Sequence, residues 1–559
     1  MCGIYAYIGN KNAYNQVQEG LKLLQYRGYD SCGIAFFDGN EFKINKAVGV
    51  LDNLPAISSN PKIAFGHTRW ATHGAVNLTN AHPHYSVEHE FTIVHNGVIK
   101  NAEQLKQNLQ NAGISFYSQT DTEVIANLIY SLSGSIEDRL MQLLNILQGS
   151  YSLIVGTKQG YLYLIKKFSP LNILKHGKEI LVSSDKASLP SGEIYTLKDN
   201  DIMKISKGKI KAINGELEFK EYHNSIERLN KGKYAHYMLK EIYETPLSIK
   251  NTYIGIKDQN FKPIFDGINK ITFIGCGTAY HSCLIGEQIF KADDMFETYN
   301  CLASNYECKK DIDIHHLHII VSQSGETADC IKVAEQIKAH KGKILLITNE
   351  NKSSLTYYAD YCVFTNAEKE IAVASTKTYS CQVFVFEYMY NKLKDNNYTI
   401  DIDTLYNDIS NFLDKLDVSN IVDLYLNDNK MIMIAKGFDY LILQEASLKI
   451  REIDYYYTLP MYAGELKHGT LSLVDENTTI LSINTNQDKN ALKTAISEIE
   501  SRKGKVIKVE DYLPEDITNK QYKAIYEILP FQLLSYQIAV KHNYNPDMPK
   551  NLAKSVTVE

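Results

Sequence analysis

A cysteine at position 2 is the first side chain whose position suggests chemistry. Its small size, with Gly3 after it, permits removal of Met1, which would leave a thiol and an α-amine on one residue. An α-amine titrates at about pH 8, so its neutral form can take the thiol proton without a histidine. The ordinary alternative is a start codon followed by an arbitrary residue. Cys2 is therefore predicted to be a nucleophile only if other segments of the chain support that interpretation.

Four nearby segments carry side chains that suit an amino acid substrate. YRGYDSCG supplies Arg27. Arg69 in HTRWATHG offers a guanidinium group to the carboxylate of an amino acid, and Asp121 in SQTDTEV offers a carboxylate to its ammonium group. The Asn96 side-chain amide and the Gly97 backbone N–H of HNG can form an oxyanion hole. Each has an ordinary alternative: a surface ion pair for Arg69, a helix N-cap for Asp121 and a hairpin turn for Asn96-Gly97.

Together, MCGI, YRGYDS, HTRWATHG, HNG and SQTDTEV resemble the glutaminase domain of the class II amidotransferases, an α+β N-terminal-nucleophile hydrolase fold of αββα layers. The resemblance covers essentially residues 2–220. It implies that Cys2 attacks the amide of glutamine, that Asn96 and Gly97 hold the oxyanion, and that Trp70, the only tryptophan, gates ammonia. The glutamine-binding residues it implies are Arg27, Arg69, Trp70, Thr72, His73 and Asp121.

Histidines are frequent in this region, but their spacing does not favour a metal site. Thr72, His73, His82 and His84 are also compatible with local structure or a substrate loop. With His67, these histidines occur in HTRWATHG and HPH, which lack a spacing typical of metal ligands. We therefore expect neither a metal nor a cofactor.

A second group of segments, beyond residue 270, suits a phosphate. SQSGET (residues 322–327) follows the apolar run HIIV and precedes a predicted helix, so its hydroxyl and N–H groups would surround a helix N-terminus. GCGT (residues 275–278) and VASTKTY (residues 373–379) supply further donors. Tyr280 stands where a dinucleotide fingerprint needs its third glycine, and no Walker lysine motif occurs. The alternative for any single serine-glycine turn is a helix cap.

Acid-base groups occur in QEASLKIREI, where Glu445, Lys449 and Glu452 are spaced to share one face of a helix, and in AGELKHG, which contains His468. The ordinary alternative is a solvated helix face with ion pairs. Six segments of this region together resemble the tandem sugar isomerase domains of the isomerising glutamine–fructose-6-phosphate aminotransferases. They are GCGT, SQSGETAD, EIAVASTK, LKIREI, AGELKHG and the tail NLAKSVTVE. With the amino-terminal motifs, this resemblance spans almost the whole chain.

The second resemblance implies roles for residues of this region. Glu452, helped by Lys449, would move a proton between C1 and C2, His468 of a neighbouring subunit would open the sugar ring, and Lys554 would form an imine with the ketose. The implied fructose 6-phosphate contacts are Thr278, Ser322, Gln323, Ser324, Thr327, Val373, Ser375 and Glu445. The implied reaction converts L-glutamine and D-fructose 6-phosphate to L-glutamate and D-glucosamine 6-phosphate, the first step of hexosamine synthesis, in a homodimer.

Two features depart from the resembled pattern, and three other functions remain as alternatives. The segment before AGELKHG reads YTLPMY, with Leu459 where an acidic residue is common, and interdomain segments such as residues 245–270 are short. Another class II amidotransferase would need its own diphosphate or pyrophosphatase loop, which is not found. A sugar-phosphate sensor would have no use for Cys2 or Lys554, and a sugar-amine deglycase would not need residues 2–220.

The pattern of apolar and polar residues predicts the strands and helices that must position these side chains. GIAFF, FTIVHNG and YSLIVGT predict strands and VQEGLKLLQ and VIANLIYSL predict helices, an α+β pattern. Beyond it, KITFIGCGT and KMIMIAKGF begin similar strand, loop and helix units 160 residues apart, since 431 − 271 = 160, and AHKGKILLIT and SRKGKVIKVE recur at 503 − 341 = 162. The repeat predicts two tandem α/β domains with parallel sheets. INTNQD replaces SQSGET in the second repeat, which predicts a single phosphate site.

The expected domains are residues 1–222 (glutaminase), 223–233 (linker), 234–400 and 401–545 (sugar isomerase repeats) and 546–559 (extended catalytic tail). The length of 559 residues agrees with several domains. A net charge of −6 without a long basic block argues against nucleic acid, and the absence of an apolar run of about 18 residues argues against a membrane partner. Nine scattered cysteines favour a reducing, cytoplasmic setting.

Overall fold

The computed structural model describes residues 2–70, 74–223, 230–307, 313–351, 353–426 and 430–555. The chain divides into two compact units, one formed mainly by Met1–Asn230 and the other by Lys231–Lys554. Thr72 and His73, two predicted glutamine contacts, lie outside the described residues. Within the described ranges, no helix has the length and apolar character needed to cross a membrane.

The first unit combines many short strands with a few helices. Its strands are β1 (Gly3–Ile8), β2 (Ser31–Phe37), β3 (Phe42–Val48), β4 (Ile63–Arg69), β5 (His84–Tyr85), β6 (Phe91–Ile99), β7 (Gly149–Thr157), β8 (Leu162–Lys167), β9 (Asn172–His176), β10 (Glu179–Ser183), β11 (Gly192–Thr196), β12 (Ile202–Ser206), β13 (Lys209–Asn214) and β14 (Lys220–Tyr222). Its helices are α1 (Ala13–Lys22), α2 (Ala102–Asn111), α3 (Asp121–Ser131) and α4 (Ile136–Ile146).

These strands form two antiparallel sheets packed face to face. The eight-stranded sheet has the order β14-β11-β9-β10-β1-β4-β2-β3, and the six-stranded sheet has the order β13-β12-β8-β7-β6-β5. Ile4 and Phe65 of the first sheet share a core with Val94 and Ile154 of the second. Helix α1 packs on the outer face of the first sheet, and α3 and α4 pack on the second. The predicted αββα layering is confirmed.

The second unit alternates strands and helices. Its first part contains α5 (Tyr237–Tyr243), α6 (Thr245–Ile256), α7 (Lys262–Phe265), β15 (Lys270–Gly275), α8 (Thr278–Phe290), β16 (Glu297–Leu302), β17 (His316–Val321), α9 (Ala328–Ala339), β18 (Lys343–Thr348), β19 (Tyr361–Phe364) and α10 (Lys377–Lys394). Its second part contains α11 (Ile402–Lys415), α12 (Ser419–Tyr425), β20 (Lys430–Ala435), α13 (Phe438–Ile453), β21 (Tyr457–Tyr462), β22 (Thr479–Ser482), α14 (Lys493–Glu500), β23 (Lys505–Lys508) and α15 (Lys523–Lys541).

Two parallel sheets, β16-β15-β17-β18-β19 and β21-β20-β22-β23, confirm the predicted tandem α/β repeats. Strands β15 and β20 begin 160 residues apart, and β18 and β23 begin 162 apart. Gly277 and Gly437, which precede α8 and α13, have almost the same conformation, with φ of 53° and 63° and ψ of −128° and −129°. Glycine suits this region because a Cβ disfavours positive φ.

One hydrophobic core joins the two repeats. It contains Phe273 and Tyr379 from the first repeat together with Ile442, Ile450 and Leu529 from the second. Helices α10 and α15 are buried on nearly every face, which explains why their sequences lack a polar stripe. Beyond α15, the described tail to residue 555 forms neither helix nor strand.

Candidate active sites

Cys2 lies immediately before β1, at the edge where that strand pairs with β4. The Trp70 backbone N–H donates to its Sγ at 3.3 Å, and Sγ lies 3.6 Å from the Trp70 carbonyl oxygen. Burial raises the pKa of the Cys2 thiol, while the Trp70 N–H and the Arg69 charge act in the opposite direction. The thiol is therefore held by a backbone donor, within reach of the charge of a guanidinium group.

Asn96 and Gly97 lie beside this thiol, within β6. The Asn96 side-chain amide donates to the Cys2 carbonyl oxygen at 3.0 Å. At Gly97 φ is +126°, and a Cβ would stand 2.0 Å from the Ser150 carbonyl oxygen, so only glycine fits. The hairpin alternative is wrong, because β6 continues through Ile99 in its pairing with β7, two residues beyond the predicted FTIVHNG strand.

Asp121 is the first residue of α3, and its carboxylate accepts the Ile99 N–H at 3.1 Å. It also lies 3.6 Å from His95 Nδ1. The N-cap is Thr120, whose side chain accepts the Glu123 N–H, so the alternative that Asp121 caps the helix is wrong. The structure thus ties Asp121 to the strand that carries Asn96 and Gly97.

The two predicted arginines occupy different surroundings. Arg69 ends β4 and is 3% exposed, which excludes the surface ion pair considered for it. Arg27 donates to the Ser184 carbonyl and hydroxyl oxygens, both at 3.2 Å. Between them, a Cβ at Gly28 would stand 2.6 Å from the Arg69 carbonyl carbon and the Trp70 nitrogen, which explains the glycine in YRGYDS.

A buried group of histidines, whose role the sequence did not indicate, lies behind this site. The rings of His67 and His82 are 4.2 Å apart, and those of His82 and His84 are 5.0 Å apart. Thr122 Oγ1 lies 3.1 Å from His82 Nε2 and 3.2 Å from His95 Nδ1. Burial lowers the pKa of His67 to about 3 and the pKa values of His82 and His84 well below their ordinary value. These neutral rings support the strand carrying Asn96, and no metal-type cluster is found among the described side chains.

In the second unit, the SQSGET loop joins β17 to α9. Ser322 Oγ lies 2.9 Å from Thr327 Oγ1 and accepts the Gly325 N–H at 3.1 Å. Gly325 has φ of +63°, and a Cβ there would stand 2.0 Å from Ser353 Oγ. Ser324 Oγ accepts the Glu326 N–H at 3.2 Å. The loop is therefore closely packed at a helix N-terminus, the environment expected for an anion.

Gln323 and Glu326 connect this loop to the segments beside it. The Gln323 carbonyl oxygen accepts the Asn349 N–H at 3.0 Å and the Thr348 hydroxyl at 3.3 Å. The Glu326 carboxylate, which sequence reasoning missed, accepts the Ser354 N–H and hydroxyl at 2.8 and 2.7 Å. These bonds fix the loop against the segment after β18.

The acid-base residues of α13 meet Thr278 of the first repeat. Lys449 Nζ donates to Thr278 Oγ1 at 3.0 Å and to Glu452 Oε2 at 2.6 Å, and it lies 3.4 Å from Glu445 Oε1. Thr278 Oγ1 donates to Glu445 at 3.1 Å. The Glu445 and Lys449 side chains are fully buried, so the alternative of a solvated ion-pair face is wrong.

Charge balance sets the protonation of this cluster. Burial alone would lower the pKa of Lys449, but the carboxylates of Glu445 and Glu452 raise it to about 12. Burial raises the pKa of Glu452, and Lys449 opposes that shift. His281, which sequence reasoning missed although it follows GCGT by three residues, pairs through Nδ1 with Glu445 Oε2 at 2.7 Å.

Lys554 lies in the tail beside the VASTK segment. Its Nζ donates to Glu370 Oε2 and, at 3.2 Å, to Ser375 Oγ. The Val373 N–H donates to the Asp547 carbonyl at 3.1 Å, so tail and segment are also joined through the backbone. Glu370 begins EIAVASTK, but nothing in the sequence distinguished it from an ordinary loop carboxylate.

His468 lies apart from this cluster, on an exposed 3₁₀ turn, Ala463–His468. The preceding YTLPMY segment forms the edge strand β21, with Leu459 39% exposed. Within one chain, therefore, the structure brings Thr278, Glu445, Lys449 and Glu452 together but leaves His468 outside.

Comparisons with known proteins agree with both halves of this description. A glutamine amidotransferase domain model matches residues 51–247, and a SIS domain model matches residues 265–392 and 424–526. The C-terminal domain of a glucosamine-fructose-6-phosphate aminotransferase from Francisella tularensis matches at a TM-score of 0.50 and 27% identity, covering 57% of this chain and 100% of that chain.

Curated relatives match over the full length. Two glutamine–fructose-6-phosphate aminotransferases (isomerizing), from Caldanaerobacter subterraneus subsp. tengcongensis and Pyrococcus horikoshii, are 35% and 36% identical, with 100% of each chain covered. These full-length matches exceed 30% identity, and the two antiparallel sheets of the first unit and the two parallel sheets of the second agree with them. The chain therefore belongs to the isomerising glutamine–fructose-6-phosphate aminotransferase family.

Proposed function

We propose that this chain transfers the amide nitrogen of L-glutamine to D-fructose 6-phosphate and isomerises the product, giving D-glucosamine 6-phosphate and L-glutamate. The observation that carries the proposal is the buried cluster in which Lys449 contacts Thr278, Glu445 and Glu452. A buried lysine with two carboxylates and a hydroxyl suits proton transfer between adjacent sugar carbons.

In the glutaminase step, Cys2 attacks the side-chain carbonyl carbon of glutamine after Met1 has been removed. The free α-amine takes the thiol proton, and the Asn96 amide with the Gly97 N–H stabilises the oxyanion. Ammonia leaves, and water releases L-glutamate from the thioester. The contact of the Asn96 amide with the Cys2 carbonyl, at 3.0 Å, supports this assignment.

Arg69 and Asp121 bind the carboxylate and ammonium groups of glutamine in this proposal, and Arg27, Trp70, Thr72 and His73 complete the substrate site. The burial of Arg69 supports its role, since a charged hydrogen bond to a carboxylate is stronger when water is excluded. The bonds of Arg27 to Ser184 favour a supporting position. Trp70 gates ammonia, consistent with its backbone contact to the Cys2 thiol.

In the synthase step, the hydroxyl and N–H groups of the SQSGET loop bind the sugar phosphate. The residues assigned to it are Ser322, Gln323, Ser324 and Thr327. Thr278, Val373, Ser375 and Glu445 contact the sugar. Lys554 forms an imine at C2, Glu452 moves the proton between C1 and C2 with help from Lys449, and His468 of the partner subunit opens the ring. The exposed position of His468 agrees with a role completed by a homodimer.

The proposal includes a division into domains and a cytoplasmic location. The domains are residues 1–222, a linker 223–233, repeats 234–400 and 401–545, and a catalytic tail 546–559. Strand β14 ends at Tyr222, and α15 ends at Lys541, which supports the first and last of these boundaries. Neither a metal nor a cofactor takes part in the proposed reaction.

Product analysis tests the function. With amide-labelled glutamine and fructose 6-phosphate, we expect equal amounts of glutamate and labelled glucosamine 6-phosphate. Cys2→Ala should lower glutamine-dependent synthesis by about 10³-fold or more, because the nucleophile is removed, while leaving ketose-aldose isomerisation. The control is Cys301→Ala, a half-buried thiol of β16, which should behave as wild type. Glutamate formation without glucosamine 6-phosphate would contradict the proposal.

A further inference from the structure

We propose that Glu370 is the counter-ion that positions Lys554 for imine formation and stays paired with the same nitrogen after the imine has formed. The inference rests on the proposed role of Lys554 and adds a positioning residue to it. Glu370 would not contact the sugar; it would act through the lysine.

The Glu370 carboxylate is held rigidly from both sides. It is 2% exposed. Its Oε1 accepts the backbone N–H groups of Thr376 and Thr378 at 2.9 and 3.2 Å, and its Oε2 accepts the Thr378 hydroxyl at 2.7 Å and the Lys554 ammonium. A buried carboxylate with this many fixed donors has little freedom to turn away from Lys554.

The same contacts direct the lysine toward the sugar. Lys554 Nζ also donates to Ser375 Oγ at 3.2 Å, and Ser375 is one of the proposed sugar contacts. The α13 cluster is within electrostatic reach, because the Lys554 charge lowers the pKa of Glu452 against the larger effect of burial. The Glu370 bond therefore holds the amine beside the sugar-binding segment, where its charge is felt by Glu452.

The charge balance of the reaction explains why a permanent counter-ion is useful. An ammonium and a ketone give an iminium and water: of the three protons on the Lys554 nitrogen, two leave with the C2 oxygen as water and one remains on the iminium. The proton that leaves the nitrogen before it attacks C2 is returned to the C2 oxygen after addition, and a second proton passes from the nitrogen to the carbinolamine hydroxyl, which departs as water. The nitrogen is positive at the beginning and at the end, so one buried carboxylate can compensate both states.

Other charged groups face Glu370 from three neighbouring elements. Glu241 of α5 accepts the Ala372 N–H at 3.3 Å, and burial together with the charge of Glu370 raises its pKa to about 8. Lys377 of α10 pairs with Glu244 at 2.9 Å, and Lys449 of α13 feels the Glu370 charge. Burial alone would raise the pKa of Glu370, but Lys554 and the donors hold it at about 2. Near neutral pH, Glu370 is thus ionised while Glu241 is mostly protonated.

Borohydride trapping of the full-length enzyme tests the proposal. With fructose 6-phosphate and borohydride, wild type should acquire the mass of a reduced sugar adduct on Lys554. Glu370→Gln, which keeps the shape but removes the charge and replaces one accepting oxygen by an NH2 donor, should lower the trapped fraction and kcat by on the order of 10²-fold, with the KM for fructose 6-phosphate within about threefold. Glu370→Asp should recover part of the loss. The matched control is Glu368→Gln, an exposed glutamate of the same segment that should trap as wild type.

The outcomes separate the two proposals. Wild type without an adduct on Lys554 would overturn the imine and, with it, the role of Glu370. An adduct in wild type and equal trapping in Glu370→Gln, in protein whose thermal unfolding matches wild type, would overturn only the counter-ion proposal. A raised KM with an unchanged trapped fraction at saturating sugar would also overturn it, because Glu370 would then serve binding. If Glu370→Gln does not fold, Glu370→Asp decides by the same criteria.

Discussion

The two repeats of the second unit share the same arrangement of strands and helices but differ at one loop, which follows β17 in the first repeat and β22 in the second. In the first repeat this loop presents Ser322, Gly325 and Thr327 at the N-terminus of α9. In the second, the aligned segment contains Thr485 in place of Gly325. Its N–H and hydroxyl both donate to Asp439 at 2.7 Å. Asp439 stands at the position of Ala279 in the first repeat, since 439 − 279 = 160.

The difference lies in what satisfies the loop donors. In the second repeat, the Asp439 carboxylate accepts the loop donors. The Asn486 side-chain amide also donates to it at 3.1 Å, and Lys523 Nζ lies 3.8 Å from it. In the first repeat, position 279 is an alanine and cannot do so. The comparison supports a single anion site per chain, as the INTNQD segment predicted, and in the proposed function the second repeat contributes instead the acid-base residues of α13.

The largest expected effect comes from removing that contribution. Glu452→Gln should lower kcat for synthesis by about 10² to 10⁴-fold, since a general base would be lost. Because burial raises the pKa of Glu452, wild-type activity should fall with decreasing pH at a higher pH than for an exposed glutamate, and the variant should lose this limb. Steady-state rates across pH measure both. Glu500→Gln, on the exposed end of α14, serves as the control, and an unchanged kcat in Glu452→Gln would remove α13 from the chemistry.

A smaller effect is expected from closing the first-repeat loop. Gly325→Ala adds a Cβ that would stand 2.0 Å from Ser353 Oγ at a φ of +63°, so the loop must shift. We expect kcat/KM for fructose 6-phosphate to fall by about 10 to 10²-fold. Gly437→Ala in the second repeat has the same φ but only a distant neighbour, Asn486 Oδ1 at 4.0 Å, so it shows the conformational cost of about 1 to 3 kcal/mol without a clash. Similar kinetic losses in both variants would show that strain, not the clash, is responsible.

The smallest kinetic effect is expected from Asp439→Ala, which gives the second repeat the residue of the first. The Thr485 donors would lose their acceptor, so the free energy of unfolding should fall by about 1 to 3 kcal/mol. Synthesis should stay within about twofold of wild type, because the loop takes no part in the reaction. Denaturant unfolding and kcat, measured on the same preparation, check this prediction, and a tenfold loss of kcat with stability intact would give the second loop a functional role.

The sequence predicted the architecture well because its signals are local. Strand-loop-helix units at a constant offset determine two parallel sheets, and spacings of four and three on α13 determine that Glu445, Lys449 and Glu452 share a helix face. Burial of that face could not be read from the spacing, which fits a solvated helix equally well. It depends on packing against α8, which supplies Thr278.

The contacts that were missed join residues far apart in sequence. His281 pairs with Glu445 across 164 positions, and Glu370 pairs with Lys554 across 184. Neither side chain has a local pattern that distinguishes it from an ordinary polar residue. The hairpin-turn alternative for Asn96 and Gly97 failed for a related reason, because the extension of β6 to Ile99 depends on its long pairing with β7.

The hydrophobic core shared by the repeats has a consequence for how mutations affect the enzyme. Side chains such as Phe273 and Ile450 belong to the same packed interior, so neither repeat can lose its partner without exposing apolar surface. Destabilising substitutions in α15, which contacts no proposed substrate, would therefore lower activity in the cell by reducing the amount of folded enzyme. The loops of each repeat can therefore differ, as those after β17 and β22 do, while the shared interior ties the stability of one repeat to the other.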